Sequence, residues 1–141
     1  MMGVEYLENA LTAETLVGLR EQAGWSHTQI AQAEKALRNT IFSVAASSDG
    51  QIVGMGRLVG DGAMIWYIQD VIVVPEYRHG GVGTAIVRRL MDYAIRESMP
   101  GTNVAIGLMS AKGKEAFYRK LGFYERPNDH EGAGMMIRVK V

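Results

Sequence analysis

Residues 71–90 read VIVVPEYRHGGVGTAIVRRL and contain the transition that decides the fold. The stretch begins with β-branched residues typical of a strand, passes through Pro75 and a run of glycines, and continues with helical spacing. A helix beginning at about residues 81–84 leaves its first backbone N–H groups without intrahelical partners, and glycines let the backbone curl around whatever approaches them. The segment therefore predicts a strand, an anion-binding loop and a helix, with Arg78 as a cation at the loop entrance. A plain turn is the alternative.

Two familiar phosphate-binding motifs do not fit this loop. The P-loop pattern ends in Gly-Lys-Ser or Gly-Lys-Thr, and the chain contains neither tripeptide. The dinucleotide-binding fingerprint requires a third glycine where Ile86 stands.

The flanking sequence predicts a mixed α+β sheet. Before the loop come an edge strand at 2–7, helices capped by Thr12 and by a Ser26–Gln29 capping box, and strands at 41–46, 52–59 and 64–74. After it come a helix ending before Pro100, a strand at 103–109, a helix at about 111–120, and strands near 123–125 and 135–141. The strands at 64–74 and 103–109 are expected to be parallel neighbours because a helix crosses over between them.

The composition indicates one globular domain, residues 1–141, with 48% apolar and 21% charged residues. Fifteen basic residues balance fifteen acidic ones, so no general electrostatic case exists for nucleic acid or an anionic membrane. The chain has no cysteine and its three histidines lack metal-ligand spacing, so no metal is expected. The N-terminus does not resemble a signal peptide, and no apolar run reaches about 18 residues, so we expect a cytoplasmic protein.

Two motifs carry a family resemblance. Residues 78–83, Arg-His-Gly-Gly-Val-Gly, fit the Gln/Arg-x-x-Gly-x-Gly/Ala signature of the GCN5-related N-acetyltransferases, known as the GNAT family. KEAFYRKLGFYER, at 114–126, resembles that family's helix ending in an aromatic-Tyr pair followed by Leu-Gly-Phe. The resemblance spans roughly residues 41–126. It implies a central mixed sheet of six to seven strands with about four helices, in which a splayed pair of parallel strands forms the acetyl-CoA site.

The resemblance also implies which residues bind acetyl-CoA. The loop amides would hold the pyrophosphate, and the strand before the loop would pair with the pantetheine arm. The residues so assigned are Val71, Ile72, Val73, Arg78, His79, Gly80, Gly81, Val82, Gly83 and Thr84. Lys114 is the one lysine of the last helix expected to reach the phosphates. Many family members carry an Asn that contacts pantetheine where this chain has Ala111.

Acyl transfer to an amine requires a deprotonated amine, a donor for the developing oxyanion and a proton for the departing thiolate. Tyr118 matches the family's tyrosine near the thioester sulfur, and its phenol, with a pKa of about 10, stays protonated at pH 7. The Val73 N–H is the expected oxyanion donor by the same resemblance. Asp70 is a candidate base, since a carboxylate in an apolar run needs a partner or a task; structural pairing with an arginine, and proton relay by water, are the alternatives.

The acceptor is left open by the sequence. We expect its site to be walled by the N-terminal helices and the loops at 24–28, 60–64 and 127–134. Candidate lining residues are Trp25, His27, Trp66, Tyr67, Asp129 and Glu131, although core packing or a polar loop would explain each one. The preferred function is N-acetylation of a small-molecule amine; acetylation of a protein or peptide amine and a non-catalytic CoA-binding module are the alternatives. The C-terminal strands could also pair between two copies in a homodimer.

Overall fold

The computed structural model describes residues 3–141. It contains five strands and four α-helices, namely β1 (Glu5–Glu8), α1 (Ala13–Gln22), α2 (Ile30–Arg38), β2 (Phe42–Ser48), β3 (Gln51–Gly60), β4 (Ile65–Val73), α3 (Val82–Glu97), β5 (Ala105–Gly107) and α4 (Glu115–Lys120). The chain forms two compact units, one up to Leu108 and one from Met109 to Val141. The first unit holds the whole sheet.

The sheet order is β1-β2-β3-β4-β5. The first four strands are antiparallel neighbours, and β4 and β5 are parallel. Asp49 and Gly50 both have positive φ at the tip of the predicted β2–β3 hairpin, as a tight turn between twisted strands requires. The mixed α+β class and the parallel pair are therefore confirmed.

A bulge in β4 reverses which residues face which side of the sheet. Met55 pairs with Ile72 but Arg57 pairs with Gln69, so β4 carries one extra residue between these pairs. Asp70 lies in the bulge with φ of 58°, a left-handed conformation that is unusual for a residue other than glycine. Before the bulge, even-numbered side chains face α3; after it, they face α1.

Two contacts establish this reversal. Trp66 packs edge-on against Tyr93 of α3, with ring centroids 6.3 Å apart. Beyond the bulge, Val71 is the residue on the α3 side, where its Cγ2 atom would lie 3.6 Å from a Cβ added to Gly56. The bulge thus places Asp70 on the α1 side of the sheet, together with Ile72.

The helix that follows the glycine loop packs closely on β3. A Cβ atom added to Gly56 would lie 2.8 Å from Ile86 Cγ2 and 2.9 Å from Leu90 Cδ1, so glycine is required for this approach. Ile86, Val87 and Leu90 are fully buried, which matches their predicted helical face. This packing fixes α3, and with it the loop that precedes the helix.

The two N-terminal helices begin differently from each other. Thr12 caps α1 as predicted, since its hydroxyl accepts a hydrogen bond from the Thr15 N–H at 3.2 Å. The Ser26–Gln29 capping box is wrong, because α2 begins at Ile30 with Gln29 as its N-cap residue. Thr28 instead accepts a hydrogen bond from Arg20 of α1, so a tertiary contact outweighs the local capping preference.

The last two predicted strands are also wrong, and the sheet formed by the described residues has five strands, where the resemblance implies six to seven. Among the described residues 109–141, neither 123–125 nor 135–141 forms a strand. A strand needs another strand's edge for its backbone groups, and composition alone does not supply one. Met135 and Ile137 are 89% and 84% exposed, so the apolar alternation of this segment covers no core.

Candidate active site

The glycine loop exposes the amino end of α3. A short 3-10 turn at Pro75–Tyr77 follows β4, and His79 and Gly81 then adopt positive φ of 64° and 88°. Gly81 is the N-cap residue of α3 and offers no side chain to its first amides. The first intrahelical bond of the ladder joins the Ala85 N–H to the Gly81 carbonyl. The N–H groups of Val82, Gly83 and Thr84 therefore remain for an external acceptor, where the helix dipole favours an anion.

The strand beside this loop has an open edge. β5 pairs with β4 only from Ile65 to Tyr67, so in the described chain residues 68–73 continue without a strand on that side. The Val74 N–H donates to the Val53 carbonyl, which directs Val74 toward β3. Because backbone groups alternate along a strand, Val73 directs its N–H and C=O toward the open edge. Ile72, which has the same parity as Val74, directs its own toward β3.

Arg78 lies at this open edge. Its Nε donates a hydrogen bond of 2.9 Å to the Val73 carbonyl. The side chain therefore contacts the strand and stands at the entrance of the loop, the two places that the resemblance assigns to acetyl-CoA. A small solvent-open cleft lies at the same end of β4, lined by Arg78, residues 72–75, Leu19, Gln22 and Ala23.

Asp70 is buried in an ion cluster on the α1 side of the sheet. Its side chain is only 1% exposed, and its two oxygens accept from Arg20 Nη1 and from Arg57 Nε, the latter at 2.7 Å. Arg20 also donates to Thr28 and lies 5.0 Å from the Trp25 ring, while Arg57 donates to Thr40. Of the roles considered for Asp70, structural pairing has direct contacts in its favour.

Sequence reasoning missed both arginine partners of Asp70. They stand fifty and thirteen residues from it along the chain. The only signal in the sequence was the cost of an unpaired carboxylate in an apolar strand, which predicts a partner without naming it.

Tyr118 belongs to the second unit. Its ring packs edge-on against Phe117 and Phe123, with centroids 4.9 Å and 5.9 Å away. Burial raises the pKa of its phenol above the usual value of 10.0, so the hydroxyl stays protonated at neutral pH. Lys114 is exposed and is the N-cap residue of α4, with its backbone carbonyl bonded by the Tyr118 N–H.

The proposed acceptor-lining residues have different surroundings. Trp66 is a core residue, 2% exposed, whose indole N–H donates to Ser98. Trp25 flanks the Arg20 guanidinium, and His27 forms an exposed 2.8 Å contact with Glu21. In the second unit, Glu131 accepts hydrogen bonds from Asn128 and Tyr124, which lower the pKa of its carboxyl group.

The described residues lack both a membrane-spanning helix and a metal-binding cluster. No helix within residues 3–141 is long and apolar enough to cross a membrane. The same residues contain no group of three or more His, Cys, Asp or Glu side chains able to hold a metal ion.

The mixed sheet, with an open strand edge beside a glycine loop, agrees with what comparisons with known proteins show. The profile of the acetyltransferase (GNAT) family matches residues 5–123, so the chain belongs to this family. It is 30% identical over 137 residues to GCN5-related N-acetyltransferase 2, chloroplastic, of Arabidopsis thaliana, covering 83% of this chain and 52% of that protein. It is 28% identical over 128 residues to histone acetyltransferase TAP1 of Glycine max, covering 83% and 54%.

A solved structure agrees over nearly the whole chain. A probable acetyltransferase of unknown function from meticillin-resistant Staphylococcus aureus superposes with a TM-score of 0.85 at 30% identity, covering 97% of this chain and all of that one. The chain spans about half the length of the two curated plant relatives.

Proposed function

We propose that the protein is an acetyl-CoA-dependent N-acetyltransferase that acetylates a primary amine, preferably of a small molecule. The observation that carries the proposal is the open edge of β4 beside the uncapped amino end of α3. An extended arm that contains amides can pair with the strand edge, and a diphosphate can bond the free N–H groups at the amino end of the helix. The GNAT membership supports acetyl-CoA as the molecule that has both parts.

The residues present suit this co-substrate. The amides of residues 79–84 would hold the diphosphate, with Arg78 and Lys114 as cations for phosphate oxygens. Of the strand residues assigned to the pantetheine arm, Val71 and Val73 have the parity to face the open edge, and Ile72 would contribute its side chain to the cleft. Acetyl-CoA supplies the thioester whose acetyl group is transferred.

The chain's own groups would then assist the transfer. As the amine nitrogen bonds to the carbonyl carbon and the C–S bond breaks, the Val73 N–H would stabilise the developing oxyanion. The Tyr118 hydroxyl would donate its proton to the departing sulfur. Burial raises the pKa of this phenol above its usual value of 10.0, so the hydroxyl carries its proton at neutral pH and can donate it as negative charge develops on sulfur.

Asp70 is the less suitable of the two proposed catalytic residues. Both of its oxygens accept from guanidinium groups, and its side chain is almost fully buried. We therefore propose that Asp70 positions Arg20 and Arg57, and that water takes the proton from the amine.

Three further points belong to this proposal. A protein or peptide amine is the alternative acceptor, and the histone acetyltransferase among the relatives favours it. Cytoplasmic location remains a prediction, which cell fractionation would test. A homodimer through the exposed segment 135–141 is also a prediction, which light scattering would test.

The central experiment measures thiol release from acetyl-CoA with a broad panel of small amines and with lysine-containing peptides. We expect saturable release with at least one small amine, and mass spectrometry should find the acetylated product. Acetyl-CoA binding measured by calorimetry separates the outcomes. Acetyl-CoA binding without turnover of any acceptor would indicate a non-catalytic CoA-binding module. Absence of acetyl-CoA binding would refute the proposed acetyl-CoA site.

A further inference from the structure

The ion cluster around Asp70 carries more positive than negative charge. The Asp70 carboxylate is the counter-ion of two guanidinium groups, those of Arg20 and Arg57. The side chains of these arginines are only 20% and 11% exposed. The nearest acidic residue along α1, Glu21, contacts His27 instead. A net positive charge in a partly buried place is costly, and a second anion would offset that cost.

The cluster also retains donors for such an anion. Arg20 donates from Nε to Thr28 and from Nη1 to Asp70. Arg57 donates from Nε to Asp70 and from Nη1 to Thr40. The Nη2 group of each arginine has no partner within residues 3–141. Because no fully buried side-chain nitrogen in this range lacks a hydrogen bond, these two groups reach solvent.

The cluster lies on the sheet face that carries the cleft. Arg20 follows Leu19 on α1, and Leu19, Gln22 and Ala23 line the cleft together with residues 72–75 of the strand end. Asp70 faces α1 because of the bulge, two residues before Ile72. The Arg20 guanidinium carbon lies 5.0 Å from the centroid of the Trp25 ring, a contact that limits the freedom of the arginine side chain.

We infer that Arg20 and Arg57 bind an acidic group of the acceptor, so that the substrate class is an amine that also carries a carboxylate. This inference rests on the proposed acetyl transfer and specifies its acceptor. A guanidinium matches a planar carboxylate with two parallel N–H donors, whereas an ammonium group would meet only repulsion from the cluster. Asp70 serves as the fixed counter-ion that positions both arginines.

The test uses acceptors in matched pairs. Each pair contains an amino acid with a free carboxylate and the same molecule with that group converted to a carboxamide, and kcat/KM is measured for both by thiol release. We expect at least one free acid to be preferred about tenfold or more over its carboxamide. Equal activity on both members of every pair would overturn the inference while leaving acetyl transfer intact. A consistent preference for amines carrying a phosphate would also overturn it.

Substitutions of Arg20 test whether the ion cluster produces the preference for the free acid. Arg20→Gln leaves Arg57 to bond Asp70, and it should reduce kcat/KM for the acid by about 10- to 100-fold while changing that for the carboxamide less than threefold. Arg20→Lys keeps the charge but loses the paired donors, so it should restore only part of the preference. Arg96→Gln, an exposed arginine on α3, is the control and should change neither value.

Thermal unfolding and acetyl-CoA binding are measured for every variant. If the Arg20→Gln variant is unfolded, the Arg20→Lys variant provides the test, since it keeps the charge of the cluster. If acetyl-CoA binds normally and the acid preference persists in Arg20→Lys and Arg20→Gln, the cluster is not the acceptor site. If the wild-type protein fails to bind acetyl-CoA, the proposed function fails, whatever the acceptor.

Discussion

Arg78 Nε donates a 2.9 Å hydrogen bond to the backbone carbonyl of Val73. This contact holds a cation against the open edge of β4, at the entrance of the glycine loop. Because Nε is one of five guanidinium donors, the terminal nitrogens stay available for a phosphate while the contact fixes their direction.

Replacing Arg78 by Gln should therefore weaken acetyl-CoA binding. We expect the Kd to rise about tenfold, equivalent to ~1.4 kcal/mol, measured by isothermal titration calorimetry. Arg96→Gln removes an exposed arginine from α3 and should leave the Kd unchanged. Equal or tighter binding by the Arg78 variant would mean that this side chain only caps the strand.

Gly81 can be tested against a glycine with the same backbone strain. Gly81 and Gly101 have φ of 88° and 80°, and neither has an atom within 4 Å of an added Cβ. Alanine should therefore cost each position about 1–2 kcal/mol in unfolding free energy. Only Gly81→Ala should also weaken acetyl-CoA binding, by about tenfold or more, because it displaces the amides that begin α3. Equal acetyl-CoA affinities in the two variants would argue against the diphosphate assignment.

Gly83→Val tests the same loop without positive-φ strain. Its side chain would stand on the first turn of α3, where the diphosphate would approach. Acetyl-CoA affinity should fall by about tenfold or more. Circular dichroism should show a folded protein with a cooperative melt, and undiminished binding would place the ligand elsewhere.

Tyr118→Phe removes the proposed acid and keeps the aromatic packing against Phe117 and Phe123. We expect kcat to fall by about 10²-fold or more while the Kd for acetyl-CoA stays within twofold. Tyr124→Phe, which loses a hydroxyl bonded to Glu131 in the same unit, is the matched control. Full activity in the Tyr118 variant would return this residue to a packing role.

The pH dependence gives a second check on Tyr118. Because burial raises the pKa of the phenol, its proton is lost only above pH 10, the ordinary value. Wild-type kcat should show no alkaline decline attributable to this group below that pH. A decline centred near pH 8 that disappears in Tyr118→Phe would contradict the direction of the shift.

Gly56→Ala should destabilise the fold through its contact with α3. The new methyl group would press on Ile86 and Leu90, both fully buried, at an expected cost of about 1–3 kcal/mol in urea unfolding. Gly18→Ala on the exposed side of α1, where an added Cβ meets nothing within 4 Å, should instead stabilise by about 0.5–1 kcal/mol. Unaltered stability of the Gly56 variant would show that α3 can move away.

Asp70→Asn should destabilise the fold, because the guanidinium groups of Arg20 and Arg57 lose their counter-ion. The expected loss is about 2–4 kcal/mol of unfolding free energy, below that of a completely buried pair because Arg20 is one-fifth exposed. Asp92→Asn, exposed on α3, should stay within about 0.5 kcal/mol of the wild type. Unchanged stability together with a large loss of kcat would identify Asp70 as the base.

Local chemistry made much of this fold predictable. Thr12 and the Asp49-Gly50 turn were identified because their own side chains or backbone preferences produce the structure. Ser26 has the same capping chemistry, yet the contact between Thr28 and Arg20 governs that segment. Segment 135–141 has strand composition, but no strand edge pairs with it within the described residues.

The candidate site was predictable only in part, for a physical reason. The glycine loop has a sequence signature because its backbone conformation requires glycines. The bulge at Asp70 has none, since no glycine or proline marks it. Its partners come from α1 and β3, so only the folded sheet brings the three charges together.

The extra residue in β4 makes the length of that strand matter as much as its composition. Deleting Val71, for example, would restore strict alternation and turn the Asp70 carboxylate into the apolar layer beneath α3. Conservative exchanges in this strand should thus be tolerated during evolution far more readily than insertions or deletions, and related chains should keep the spacing from Trp66 to Val73 even where the residues between them change.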